Sequence, residues 1–112
     1  ETLADEIVAA PLRGQSALLD RDDWTASWQA THKSFQLLNT AEWWAQTSQK
    51  VRGEVGTAQG RELATVDFAA APPRGYWTVS FKARYSKKGA ATETVSLAWE
   101  DGAWKVVSVA IE

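Results

Sequence analysis

The hydrophobic period of this chain changes once, near Gly60, and the change separates a helical half from a half built of strands. Upstream, Leu3, Ile7, Ala10, Ala17 and Leu18 predict a first helix over residues 3–20. Pro11 and Gly14 interrupt it, because proline removes a helical donor and clashes with the preceding turn. "DRDD" caps a second helix over 23–38, whose stripe reads Trp24, Trp28, Phe35 and Leu38. Asn39-Thr40 reads as a stop and a new N-cap, followed by a third helix over 40–55 with Glu42 in its first turn, where a carboxylate suits the helix dipole. Trp44, Thr47, Val51 and Val55 form that stripe with Trp43 at its margin, and Gly53 or Gly56 ends it.

Downstream, alternating segments predict four strands: "LATVDF", "YWTVSFKARY", "TETVSLAWE" and "WKVVSVAI", over 61–70, 75–86, 91–100 and 103–111. The connectors Pro72-Pro73-Arg74-Gly75, Lys87-Lys88-Gly89 and Asp101-Gly102 have turn chemistry. The expected fold is therefore a single α+β domain over 1–112, with three helices on one face of an antiparallel four-stranded meander.

Turn lengths also predict a register. A type I′ turn at Asp101-Gly102 sets Trp99 opposite Trp104 and Leu97 opposite Val106. A three-residue loop at 87–89 sets Trp77 opposite Trp99, Val79 opposite Leu97 and Phe81 opposite Val95. A four-residue loop at 71–74 sets Phe68 beside Trp77 and Val66 beside Val79. The outer side then carries Thr78, Ser80, Lys82, Arg84, Thr92, Thr94 and Ser96. Strand four departs from the pattern: Val107, Val109 and Ile111 point to the polar side, either as a homodimer contact or as exposed β-branched residues that favour a strand.

The chain has 7 tryptophans. Trp24, Trp28 and Trp44 fall on helix stripes and Trp77, Trp99 and Trp104 on the sheet face, so most of the indole reads as core. The competing reading makes Trp28, Trp44, Trp77, Trp99 and Trp104 the lining of a partly open ligand pocket.

Charge and composition narrow the partners. The net charge of -2, with scattered basic residues, argues against a nucleic-acid partner held by electrostatics. Without cysteine there is no disulfide, thiolate nucleophile or cysteine-ligated metal, and the single histidine, His32, excludes a multi-histidine site. Neither metal nor cofactor is expected. No apolar run approaches the roughly 18 residues of a membrane span. A start at Glu1 and the absence of methionine imply that the initiator has been removed, and a cleaved secretory signal is one way to account for it.

"ALLDRDDWTASWQATHKSFQLLNTAEWWAQ" resembles the "LVDxGDYxxSWxxAxxxFxxxxxxxxW" opening of the bacterial domain-of-unknown-function family four-thousand-nineteen, and "TETVSLAWEDGAWKVV" resembles its "ExVTLxxEDGxWRV" ending. The resemblance runs from Gln15 to Ile111; Trp24 replaces the usual tyrosine, and Pro11 with Gly14 interrupt the first helix. It implies a periplasmic or secreted bacterial protein, since most members carry export signals or lipoprotein anchors, and it implies no established activity. The element order is also similar to the cystatin-like and nuclear-transport-factor-two-like cone, in which a bent sheet wraps a long helix and leaves a pocket. Some proteins of that architecture are isomerases or dehydratases and many only bind or dimerise, so fold does not choose a function.

No phosphate loop, nucleophile elbow or metal-spaced cluster is present. The expected register puts Glu62, Ala83, Glu93 and Ala110 in one core-facing row, in which two carboxylates can perturb each other's pKa across a pocket floor. Their backbones are then roughly 10 Å apart, and the alternative leaves both at fraying strand ends. His32 reads either as a boundary histidine or as a pocket acid or base, and Tyr85 faces the carboxylate row. Asp67 falls on the polar face, and Asp22-Asp23 form a cap, without the alternating ligands of a calcium loop. Three functions follow: a non-catalytic module binding a small apolar molecule or a protein; a small isomerase- or hydrolase-type pocket enzyme using Glu93 or Glu62 with His32 or Tyr85; and a structural subunit joined through strand four. A large aromatic inventory with little nucleophilic chemistry favours the first.

Overall fold

The structure, a computed structural model, describes residues 17–72 and 74–112. It contains α1 (Ala17–Asp20), α2 (Trp24–Gln29), α3 (Lys33–Leu38) and α4 (Ala41–Val55), then β1 (Ala58–Ala69), β2 (Tyr76–Tyr85), β3 (Lys88–Glu100) and β4 (Ala103–Ile111). The strands form one antiparallel sheet in the order β1-β2-β3-β4, so the α+β class with a four-stranded meander holds. Most of the helix expected over 3–20, including the kink at Pro11, lies outside the described residues.

The helix expected over 23–38 is two helices. At the break Thr31 forms a parallel bridge to Val106, and the His32 N–H donates to the Val106 carbonyl at 2.7 Å. His32 is extended (φ -65, ψ 147) and caps α3, its Nδ1 accepting from Ser34 N at 3.0 Å. A tertiary backbone bond plus a cap thus replaces one turn of continuous helix, which overrides a helical pattern that carries no local breaker. The consequence is a change of direction that takes Leu38 off the buried stripe and leaves it 84% exposed.

In the helix layer, Trp44 is buried, donates from Nε1 to Ser27 Oγ at 2.7 Å, and meets Phe35 edge-on at 5.2 Å between centroids. Gly56 (φ 86) ends α4.

Asp101 (φ 47) and Gly102 (φ 84) make the expected primed turn, and Trp99↔Trp104 and Leu97↔Val106 face each other. Phe68↔Trp77 and Val66↔Val79 also pair as expected. The β2–β3 register differs by two residues: Trp77 faces Leu97, Val79 faces Val95 and Phe81 faces Glu93. The cause is tertiary. Ser86 and Lys87 form the loop, because their backbone N–H groups donate to Thr57 and Val55, each at 2.8 Å, at the exit of α4.

Two bulges reset which side chains face inward. Leu63↔Phe81 is followed by Thr65↔Ser80, so Ala64 is the extra residue, and Arg61 rather than Glu62 turns to the core side. Leu97↔Val106 is followed by Ser96↔Ser108, so Val107 is extra, and Val109 and Ile111 turn inward instead of to the polar face. Val79, Phe81, Val95, Leu97 and Val106 form one buried cluster with Val66, Trp77, Trp104 and Val109 against it. Val55, Ala83, Tyr85 and Ala91 form a second, joined by Ala58 and Ile111.

Ser27 is fully buried and receives the Trp44 indole N–H, so Ser27→Ala leaves that donor buried without an acceptor. Urea unfolding of this variant is expected to show a loss of about 2 kcal/mol with an unchanged m-value.

Candidate functional site

Between the end of α1, the last turn of α4 and the first half of the sheet lies a cluster of charged side chains. Arg61 is its hub, brought inward by the Ala64 bulge. Its Nη1 and Nη2 donate to Asp20 Oδ2 and Oδ1 at 2.8 and 2.9 Å, its Nε donates to Glu93 Oε2 at 2.9 Å, and Nη2 reaches the Tyr85 hydroxyl at 3.3 Å. Arg52 Nη1 donates to Asp20 Oδ1 at 2.7 Å, and the Tyr85 hydroxyl donates to Glu93 Oε2 at 2.5 Å. Both guanidinium groups stand over the Tyr85 ring, Arg52 at 5.5 Å and Arg61 at 6.0 Å from its centroid. Arg52 Nη2 is buried and has no hydrogen-bond partner among the described residues; the Tyr85 ring is the group its guanidinium faces.

These contacts set the proton affinities. Partial burial by itself raises the Asp20 carboxyl, and the Arg61 hydrogen bond and charge, followed by those of Arg52, outweigh it and hold the group below its usual value. Burial first, then the Glu93 carboxylate, pushes the Tyr85 phenol up to about 12. Arg61 holds its proton more firmly than a free guanidinium: burial works against its charge, and Asp20 and Glu93 overcome that effect. The cluster contains two acids and two arginines, and Glu93 exposes none of its surface. Chemically it is a closed, charge-balanced clamp that ties helices to sheet.

The four candidate catalytic residues do not converge. Glu93 and Tyr85 meet, while Glu62 is exposed on the opposite face of the sheet, paired in register with Lys82, because the bulge reversed its side. The row of Glu62, Ala83, Glu93 and Ala110 is replaced by Arg61↔Ala83↔Ala91 and Leu63↔Phe81↔Glu93↔Ile111. His32 contacts the far end of β3, with Nε2 3.2 Å from the Trp99 carbonyl and Nδ1 3.5 Å from Glu100 Oε2. Six strand residues, about 20 Å, separate that point from Glu93. Nδ1 accepts from Ser34 N, and Nε2 lies within hydrogen-bond distance of the Trp99 carbonyl. Burial tends to raise the Glu100 carboxyl, and hydrogen bonds from Lys105 and the Lys33 backbone, with the nearby His32, lower it overall.

The tryptophans divide into separate groups. Trp28 is half-buried, with Nε1 donating to the Asn39 carbonyl at 2.9 Å, and Trp44 occupies the helix layer. At one end of the sheet Phe68, Trp77, Trp104 and Trp99 form a chain of ring contacts at 5.0, 6.4 and 5.4 Å, and the Arg74 guanidinium lies 4.5 Å from the Trp99 centroid. Of the five rings expected to line one pocket, the structure brings Trp77, Trp99 and Trp104 together, while Trp28 and Trp44 make their contacts within the helix layer.

What composition and spacing missed is a groove between α4 and the outer edge of β4. Its two adjoining parts, about 310 and 390 Å³, share Trp44, Thr47 and Val109. Leu19, Val51, Arg52 and Ile111 wall the first part; Phe35, Leu38, Trp43 and Val107 wall the second. The Val107 bulge brings Val109 and Ile111 to it; the sequence signalled it as the shift in apolar phase along strand four, without showing that a bulge turns those residues inward. A concavity of about 540 Å³, larger than either part, lies among Gly60, Glu62, Lys82, Arg84 and Thr92, where exposed charges of both signs provide no single recognition focus. Among the described residues no group of three His, Asp or Glu side chains is placed to hold a metal ion, and no helix is long and apolar enough to cross a membrane.

Short helices laid against a one-sided antiparallel meander, with a buried ionic clamp and an apolar groove beside the last strand, define the class as a small α+β domain. The model of the family described as "Protein of unknown function (DUF4019)" matches residues 13–108, and the chain belongs to that family. No curated protein matches the chain.

Replacing the fully buried carboxylate by an amide, Glu93→Gln, weakens both the Arg61 and the Tyr85 contact; chemical denaturation is expected to show about 3 kcal/mol of lost stability. Spectrophotometric titration at alkaline pH should contain a phenolate step near pH 12 that Tyr85→Phe removes. At acid pH the sign is opposite. The folded Asp20 carboxyl lies below the usual 3.8, so its stabilising contribution is complete above that value and is lost as pH falls through the lower folded value. Acid unfolding of Asp20→Asn should lack this contribution.

Proposed function

We propose that this chain is a non-catalytic binding module of an exported, periplasmic or secreted bacterial protein, and that it takes an apolar small molecule or an apolar protein segment in the groove between α4 and β4. The observation that carries the reading is the groove's wall. Trp44, Phe35, Val107 and Val109 form an apolar trough, and Leu38 (84% exposed) and Trp43 (46%) stand at its rim in solvent. Apolar groups of that size left in water beside a concave surface mark a binding site. Export is supported by the likeness of "DDWTASW" and "EDGAW" to a family whose members mostly carry export signals.

The pocket-enzyme reading, with Glu93 or Glu62 as base and His32 or Tyr85 as partner, has less support. A general base has to reach its substrate, and Glu93 is enclosed by Arg61 and Tyr85.

The test uses the apolar dye 1-anilinonaphthalene-8-sulfonate, with binding read by energy transfer from tryptophan. Saturable binding to the folded protein is expected, weakened about tenfold by Leu38→Asp, which removes one apolar rim residue without touching the core. Thr47→Phe, which fills the junction of the two parts, should act in the same direction. Dye binding that ignores both substitutions sinks the proposal.

A further inference from the structure

We infer that two copies of this chain associate through the free edge of β4, pairing antiparallel about a twofold axis at Ala110. β4 is the last strand of the sheet, and among the described residues its outer edge is bridged at Val106, by Thr31. Thr92 and Glu112 exchange both of their backbone bonds, at 3.0 and 2.9 Å. That exchange fixes the alternation along the strand. Ser108, Ala110 and Glu112 bond toward β3, and Val109 and Ile111 direct their N–H and C=O groups outward, where no fifth strand lies among the described residues.

This edge is complementary to itself. With a twofold axis at Ala110, Val109 lies opposite the partner's Ile111 and Ile111 opposite the partner's Val109, each pair exchanging both of its bonds. Residues 106–111 carry no charge, so the axis brings no like charges together. The other edge of the sheet is guarded differently: β1 carries Arg61, Glu62 and Asp67 and is irregular at two points, features that discourage edge pairing. The chain already uses the β4 edge once. Thr31 and His32 begin a parallel pairing at Val106, which stops where α3 starts and leaves the next residues open. Leu38 and Trp43, exposed beside Val107 and Val109, would flank the second copy.

The inference rests on the backbone edge rather than on the groove interior, so it and the dye experiment can fail separately. The chain has no cysteine, and Ala110→Cys therefore introduces a single thiol on the exposed outer face. Across the proposed axis residue 110 faces its own copy as a non-hydrogen-bonded pair, with Cα atoms about 4.5 Å apart, within disulfide reach. Mild oxidation should convert Ala110→Cys to a covalent dimer at least about tenfold faster than the exposed β1 control Thr65→Cys. The unmodified chain should sediment as a concentration-dependent dimer. Val109→Pro, which removes an outward N–H and no β3 ladder bond, should weaken that association about tenfold. Equal oxidation rates of the two thiols would overturn the inference. So would monomeric sedimentation at about 1 mM, or a monomer whose Val109 and Ile111 amides resist hydrogen exchange, since the edge would then be covered by the chain itself.

Discussion

Arg61 joins the helices to the sheet. Its planar fork reaches Asp20 at the end of α1, Glu93 on β3 and Tyr85 on β2 from a position on β1, so four elements depend on the placement of one guanidinium. Burying such groups is unfavourable unless charge and hydrogen bonds are both matched. Here two acids meet two arginines, and the Tyr85 phenol meets the same Glu93 oxygen as Arg61 Nε. Charge balance makes the interior polar cluster tolerable, and it explains why a glutamate in the middle of a strand is fully enclosed. The residue that looked most like a catalytic base is the counter-ion of the clamp.

The clamp and the groove both follow from single-residue bulges. One extra residue in a strand exchanges its faces from that point onward. Ala64 does this on β1, sending Glu62 to solvent and Arg61 to the core side; Val107 does it on β4, sending Val109 and Ile111 to the core side. The first places the cation that neutralises Glu93. The second builds the β4 wall of the groove and at the same time removes the outward-facing apolar row that a face-to-face subunit contact requires.

The break at Thr31-His32 has a comparable reach. By pairing with Val106 the chain covers part of the β4 edge and turns α3 so that Leu37 and Leu38 project into solvent. Trp44, in contrast, is locked by Ser27 and Phe35. The groove therefore has one aromatic wall held by two contacts and one exposed rim.

Local chemistry in the sequence determined the class of fold, the strand order and the registers at both outer hairpins. The change of period at Gly60, the Asp101-Gly102 pair and the N-cap at Thr40 each act within a few residues. It also placed Trp44, Trp77 and Trp104 on faces of their elements that meet the interior, because their spacing matches those faces. Tertiary structure alone decided the β2–β3 register, set by the bonds of Ser86 and Lys87 to the exit of α4, the break in the second helix, and both bulges. The register and the helix break each exchange a local preference for a hydrogen bond to a distant partner, Thr57, Val55 or Val106, and such a partner cannot be read from neighbouring residues. The candidate site was legible as residue types and not as an arrangement: Glu93 and Tyr85 were named together, but Arg61, Asp20 and Arg52 became their neighbours only through the bulge at Ala64 and the packing of α1 and α4.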